Sequence, residues 1–299
     1  MGGILKYNIG SVGLEIILPY KLFDDECYKL FASTSCVVNI NVEVLLAEKE
    51  FVLPKVSDNT NYWQSCEDGY ILFFGSRGVK LNESNTEDLW YLCCDCNFSR
   101  CRLYISSKYI NNPKLLAFEL FHRLWIQKLY AAYVGMRNRM IMHGAGIMLD
   151  NKCGVLVLGN SGSGKSTACK IMKGENAEPI SDDRVLVEIR EDTLWCYGTP
   201  WNYKNPHMIK NTKVKIEKII FVSHGQNEYY LCESFANFNS KFANQILHSD
   251  VYPTIDIVTW KIGLALRIYK NIQAYDMAFR PDASFAECLR RLVRGGGCD

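Results

Sequence analysis

Up to about residue 110 the apolar positions come in short β-branched and aromatic runs, "SVGLEIIL", "VVNINVEVLL", "YILFFG" and "CRLYIS", separated by polar, Gly- or Asn-containing turns. Runs of that length between turn residues predict strands, so the front of the chain reads as β-rich. The polar stretch "PKVSDNTNYWQSCEDG" reads as a loop. The period then changes. In "NPKLLAFELFHRLWIQKLYAAYVGM", Phe118, Phe121, Trp125, Leu129 and Ala132 recur every three or four residues, as one stripe of a long helix turned to a core. His122 lies beside the stripe and reads as structural. This helix predicts three segments: a β-rich domain over 1–112, a connecting helix over 113–138 and a further domain over 139–299.

From Met140 strands and turns alternate again: "RMIMHGAGIML", the turn "DNK", "CGVLVLG", then "PISDDRVLVEI", the turn "REDT" and "LWCYGTPW". Later come a strand at "KIEKIIFV", a helix around "NSKFANQILHS", another at "TIDIVTWKIGLALRIY", the strand "AYDMAF" and a closing helix "DASFAECLRRLV". Strands and helices are interleaved, which predicts an α/β class with α+β elements.

Between the apolar run "CGVLVLG" and the helical "STACKIMKG" lies "GNSGSGKST", a complete phosphate-binding loop. Gly159, Asn160, Ser161, Gly162, Ser163 and Gly164 supply a tight backbone turn whose N–H groups can reach phosphate oxygens. Lys165 adds a point charge for the outer phosphates, the Ser166 hydroxyl can hold Mg²⁺, and Thr167 continues into the helix. Strand, loop and helix in this order aim the positive end of a helix at the phosphates.

The first carboxylates after the loop are Asp182 and Asp183, side by side in "ISDDRV" at a strand end and followed by Arg184. Neighbours on a strand point to opposite faces, so the two cannot share a task. One could take a proton from an attacking hydroxyl and the other could support the metal. His143 sits on the strand before the loop strand, joined to it by a short turn, and hairpin pairing would bring it to the aspartates. In "YGTPW", Thr199 and Trp201 either present a hydroxyl and an aromatic face to an acceptor or form a turn with a packed Trp.

Bulk properties narrow the partners. The chain has 299 residues, 48% of them hydrophobic, with net charge +2 and a pI near 7.9. That charge gives no footprint for nucleic acid, and no apolar run is long enough for a membrane span. The start, "MGGILKYNIGSVG", lacks a signal-peptide pattern, and Lys6 departs from the myristoylation pattern. A cytoplasmic protein without a membrane partner is expected. Of the 13 cysteines, most sit singly on apolar segments as small hydrophobes. In "CCDCNFSRC" the flanks predict two strands joined by "NFSR", and the uneven spacing favours a Cys-rich hairpin over a zinc site.

"MHGAGIML", "GVLVLGNSGSGKST" and "ISDDRV" resemble, in order and spacing, the catalytic core of HPr kinase/phosphorylase, a P-loop kinase related in fold to ATP-dependent phosphoenolpyruvate carboxykinase. The resemblance implies that core type behind a β-rich N-terminal region. It implies ATP with Mg²⁺ held by Ser166 and Asp183, Lys165 at the phosphates, His143 either tuning the acid/base carboxylate or contacting a phosphate, and Asp182 as the base, the two aspartate roles being exchangeable. That family is oligomeric, so a homo-oligomer is implied too. In place of the family's glycine-rich "EIRG" signature the chain has "EIREDTLWCYGTPW". That stretch and the ending "AFRPDASFAECLRRLV" look more like the HPr kinase-related proteins of peptide-biosynthesis clusters, some of which phosphorylate a lasso-peptide precursor at a terminal serine. The expected acceptor is therefore a serine-type hydroxyl of a peptide or protein. A small-molecule kinase and a non-catalytic nucleotide-binding regulator stay open as alternatives, as does use of GTP or pyrophosphate.

Overall fold

The computed structural model describes residues 3–19, 26–47, 63–66, 68–74, 90–106, 112–122, 125–149, 152–202, 205–247 and 255–295, which form a mixed α/β protein. They divide into two compact units, one running up to Arg137 and one beginning at Asn138.

The first unit is built on a sheet of order β1-β2-β3-β7-β6-β5-β4. β1 (Gly3–Ile9), absent from the sequence reading, pairs antiparallel with β2 (Val12–Leu18). The connecting Gly10 and Ser11 have φ of 54° and 66°, the paired positive values of a two-residue hairpin whose twist matches its strands. β3 (Val38–Ala47) runs parallel to β2 and to β7 (Arg100–Ser106). Antiparallel to β7 lies β6 (Trp90–Cys94), followed by β5 (Gly69–Phe74) and β4 (Trp63–Cys66). β4 falls inside the stretch expected to be loop; a four-residue strand with one buried Trp leaves too short a pattern to read.

The Cys-rich segment forms the expected hairpin. Cys94 of β6 stands opposite Cys101 of β7, and the Asp95 carboxylate ties the turn by accepting the Ser99 N–H at 2.8 Å and its hydroxyl at 2.7 Å. Burial pushes the Cys93 thiol up to about 11 and holds Cys94 well above its ordinary range. The helical stripe lies over α2 (Pro113–His122) and α3 (Trp125–Gly135). Phe121, Trp125, Leu129 and Ala132 are buried as expected, while the side chains of Phe118 and His122 lie outside the described residues.

In the second unit β8 (Arg139–Met148) and β9 (Cys153–Leu158) form the expected hairpin. The run read as one strand over 179–189 is two, β10 (Glu178–Ser181) and β11 (Arg184–Arg190), both antiparallel to β8 and broken at the Asp182–Asp183 corner. β11 turns back as β12 (Thr193–Gly198), which pairs with the start of β13 (Lys213–His224); β13 also runs parallel to β9. These pairings close a ring, β8-β9-β13-β12-β11, beyond which β15 (Gln273–Phe279) and β14 (Glu228–Leu231) extend the sheet.

Strand alternation separates two cores. Leu156 and Leu158 of β9 pack with Met140, Met142, Val185 and Ile219, and with α5 (Phe235–Ala243) and α6 (Ile255–Asn271). Val155 and Val157 pack on the other face with α4 (Lys165–Gly174) and α7 (Ser284–Val293). A register shift between Ile216 and Lys218 puts Val214 and Ile216 on the same face of β13 as Ile219 and Phe221, while Ile220 and Val222 pack into the other core. α5 begins four residues before the segment expected to be helical, because Ser234 caps it by accepting the Asn237 N–H at 3.2 Å. β9, β13 and β15 are parallel, so Leu158, His224 and Phe279 end at the same edge of the sheet. Ligands of α/β sheets collect at that edge.

Candidate functional site

The loop from Gly159 leaves the end of β9 and enters α4 as expected. Its glycines are required by conformation at two points. Gly159 has φ 151° and Gly164 φ 101°; a Cβ on Gly164 would lie 2.7 Å from Phe279 Cζ. No side chain caps α4 at its first turn. The Lys165 ammonium folds back on the loop and donates to the carbonyl oxygens of Gly159 at 2.7 Å and Asn160 at 3.0 Å. The residue is only 6% exposed. Burial brings its pKa down to about 8, with Arg184 acting in the same direction and Asp183 opposing.

His143, Ser161, Gly162, Gly164, Lys165, Ser166, Thr167, Asp182 and Asp183 all line one cleft of about 330 Å³. Asn160 stays with the loop through its carbonyl, and Ser163 points away, its hydroxyl buried without a partner. His143 stands opposite Arg184 in the β8–β11 register, which brings Asp183 alongside. His143 Nε2 is 3.3 Å from Asp183 Oδ1, the Arg184 guanidinium donates to the same oxygen, and the Gly144 N–H donates to the Asp183 carbonyl at 3.1 Å. Burial alone would raise the Asp183 pKa. The His143 hydrogen bond and the charges of Arg184, His143 and Lys165 together outweigh burial and hold the carboxyl below its ordinary range.

The neighbouring carboxylate has a different setting. Asp182 is 1% exposed, whereas the Asp183 side chain keeps 32% of its surface. Asp182 accepts amide hydrogens from Asn202 and, at 3.0 Å, from Asn205. The Ser166 hydroxyl lies 3.5 Å from the Asp182 carbonyl. The corner between β10 and β11 therefore brings both carboxylates to one cleft, where strand alternation would put them on opposite faces: Asp182 is clamped and buried in its wall, and Asp183 is partly exposed.

Thr199 is fully buried, out of reach of an acceptor, and its hydroxyl gives its one proton to the Arg184 carbonyl at 2.8 Å. Trp201 is buried as well. Both take the packed-turn alternative. Four residues at the site have no role in the sequence analysis. Asn202 and Asn205, which clamp Asp182, carry no motif or spacing in the sequence. His224, whose Nε2 is 2.7 Å from the Gly162 carbonyl, was legible only as the end of a parallel strand. Gln245 is buried against Gly159 and has no sequence signal of any kind.

The residues fit a nucleotide with Mg²⁺. The uncapped start of α4, the left-handed glycines and the Lys165 ammonium suit a phosphate chain. The hard oxygens of Ser166, Asp182 and Asp183 on the same cleft suit a hard divalent cation.

Comparison with protein-family models gives no match, and comparison with curated proteins gives none. Among solved structures the chain is similar to the Hpr(Ser) kinase/phosphatase from Coxiella burnetii, at 12% identity and a TM-score of 0.30, over 52% of this chain and 94% of that one.

Proposed function

We propose that the second unit is an ATP-dependent phosphotransferase that moves the γ-phosphoryl group onto a serine-type hydroxyl of a peptide or protein, a lasso-type precursor being one candidate. The observation carrying this reading is that a complete phosphate loop and an ionised, partly exposed carboxylate paired with a histidine share one cleft. A regulator that merely held a nucleotide would need the loop and not the pair.

The two environments favour an exchange of the aspartate roles first expected. Asp183 faces the cleft and is hydrogen-bonded to His143, so it is the group that orients the acceptor hydroxyl and receives its proton. His143 fixes the direction of that carboxylate, and Arg184 keeps it ionised. Asp182, clamped by two amides beside Ser166, takes the metal-side position. Bound Mg²⁺ would neutralise charge on the phosphate chain. Lys165 leaves its two carbonyls to meet the outer phosphates, and the loop amides hold them in place. In a loose transition state such positioning and charge stabilisation contribute more than proton removal.

The test is a pair of single variants assayed for Mg²⁺·ATP-dependent transfer to serine-containing peptides. Asp183→Asn should lower turnover at saturating metal, and Asp182→Asn should raise the Mg²⁺ requirement. Full activity in both would return the chain to the nucleotide-binding regulator alternative.

A further inference from the structure

The carbonyl oxygen of Gly159 has two suitors. One is the Lys165 ammonium, at 2.7 Å. The other is the side-chain amide of Gln245. With its nitrogen turned to the neighbouring carbonyls, Gln245 donates to Gly159 at 2.8 Å and to the His143 carbonyl at 3.1 Å. Its backbone is pinned as well. The Gln245 carbonyl accepts the His143 N–H at 2.7 Å, Ile246 bridges to Met142, and the Leu247 N–H donates to Ile141 at 2.9 Å. The segment 245–247 thus lies along β8 beside His143, and Gln245, 4% exposed, fills the gap where β8 and β9 part company.

We propose that Gln245 is a positioning residue for the phosphate loop: its amide holds the Gly159 carbonyl and ties the loop to the His143 strand, freeing Lys165 for the phosphates. The inference rests on the reading above that Lys165 engages a nucleotide. The physical reason is an acceptor count. A carbonyl oxygen has two lone pairs, and at half-buried Gly159, packed against buried Lys165 and Gln245, leaving that oxygen without a donor is costly. If Lys165 were the sole donor to Gly159, moving it to a phosphate would strand that oxygen. Gln245 cannot follow the ammonium, because its second hydrogen bond and its backbone are fixed to β8. It therefore satisfies the oxygen in both positions of the lysine. The same bridge fixes the spacing between the loop and the Asp183–His143 pair.

Gln245→Met keeps the side-chain length and removes both donors, while Gln245→Glu keeps the shape and sets a carboxylate against two carbonyls. Two readouts are used. Amide hydrogen exchange over residues 159–164 of the nucleotide-free protein reports loop anchoring, and calorimetric titration with Mg²⁺·ATP from pH 5 to 8 reports the cost of moving Lys165. We expect exchange to rise several-fold in both variants, with native-like melting. Affinity should fall roughly tenfold in Gln245→Met, the factor of one lost hydrogen bond. In Gln245→Glu it should fall further at pH 8 and recover towards pH 5, where a protonated carboxyl again donates. Unchanged exchange with unchanged affinity in Gln245→Met would overturn the proposal. So would equal losses in both variants at every pH, which would indicate packing alone. A wild-type protein that anchors its loop through Gln245 yet binds no Mg²⁺·ATP would instead overturn the functional reading and leave the anchoring role standing.

Discussion

Replacing Lys165 by Met should stabilise the nucleotide-free protein while abolishing its response to nucleotide. The ammonium is buried, and the hydrogen bonds it makes are to backbone carbonyls. A pKa brought from 10.5 down to about 8 corresponds to a gross penalty of about 3 kcal/mol on the charged form. Residual solvent around the ammonium screens much of that, and the lost hydrogen bond to Asn160 removes more, so a net gain of about 1–2 kcal/mol is expected in Lys165→Met at pH 7. For a unit of this size that is an increase of roughly 2–8 °C in melting temperature. The sign against pH follows from the lowered pKa. Below about pH 8 both native and unfolded wild type carry the proton, and the penalty is fully present. Between about 8 and 10.5 the native state gives up its proton first, so wild-type stability rises and the advantage of the variant shrinks. Thermal melts from pH 6 to 10, with and without Mg²⁺·ATP, measure all of this. At a hundred times Kd, ATP should stabilise wild type by about 2.7 kcal/mol and the variant by nearly nothing. A variant less stable than wild type at every pH, or one stabilised equally by ATP, would refute the reasoning.

Other expectations follow from the same geometry. The kcat/KM for nucleotide should be level from pH 5 to about 8 and fall above it as Lys165 loses its proton, because Asp183 is already ionised over that range; a pH–rate profile checks this. Gly164→Ala forces a side chain into φ 101° and against Phe279, and calorimetry should show nucleotide affinity reduced at least tenfold. Iodoacetamide at neutral pH should label exposed Cys96 well before Cys94 and Cys101, which are buried; peptide mass spectrometry orders them.

Where the sequence carried period and punctuation, it was legible. The apolar run of β9, the glycines of the loop and the short turn before them placed Lys165, Ser166 and His143 on one cleft without tertiary information. That Asp182 and Asp183 stand at a strand end was legible; that "PISDDRVLVEI" holds two strands turning a corner was not, because both β10 and β11 pair with β8 and the composition stays strand-like throughout. That corner, rather than strand alternation, decides which carboxylate is buried. Asn202, Asn205 and Gln245 could not be read either. Each is brought in from distant sequence by tertiary packing, and an amide has no spacing rule. β1 and β4 were lost among short half-buried segments whose only marks were a Gly-Ser turn and a single buried Trp.

The central claim is that the cleft transfers a phosphoryl group rather than merely holding a nucleotide. Its most direct test is incubation with Mg²⁺, γ-¹⁸O-labelled ATP and a library of serine-containing peptides, followed by mass spectrometry of the peptides. The account predicts a gain of about 86 Da on serine, one phosphoryl group carrying three ¹⁸O atoms. That gain should be present with wild type and lost in Lys165→Ala and Asp183→Asn. Tight ATP binding by the wild type with label found on no peptide, or on peptides equally in both variants, would contradict it.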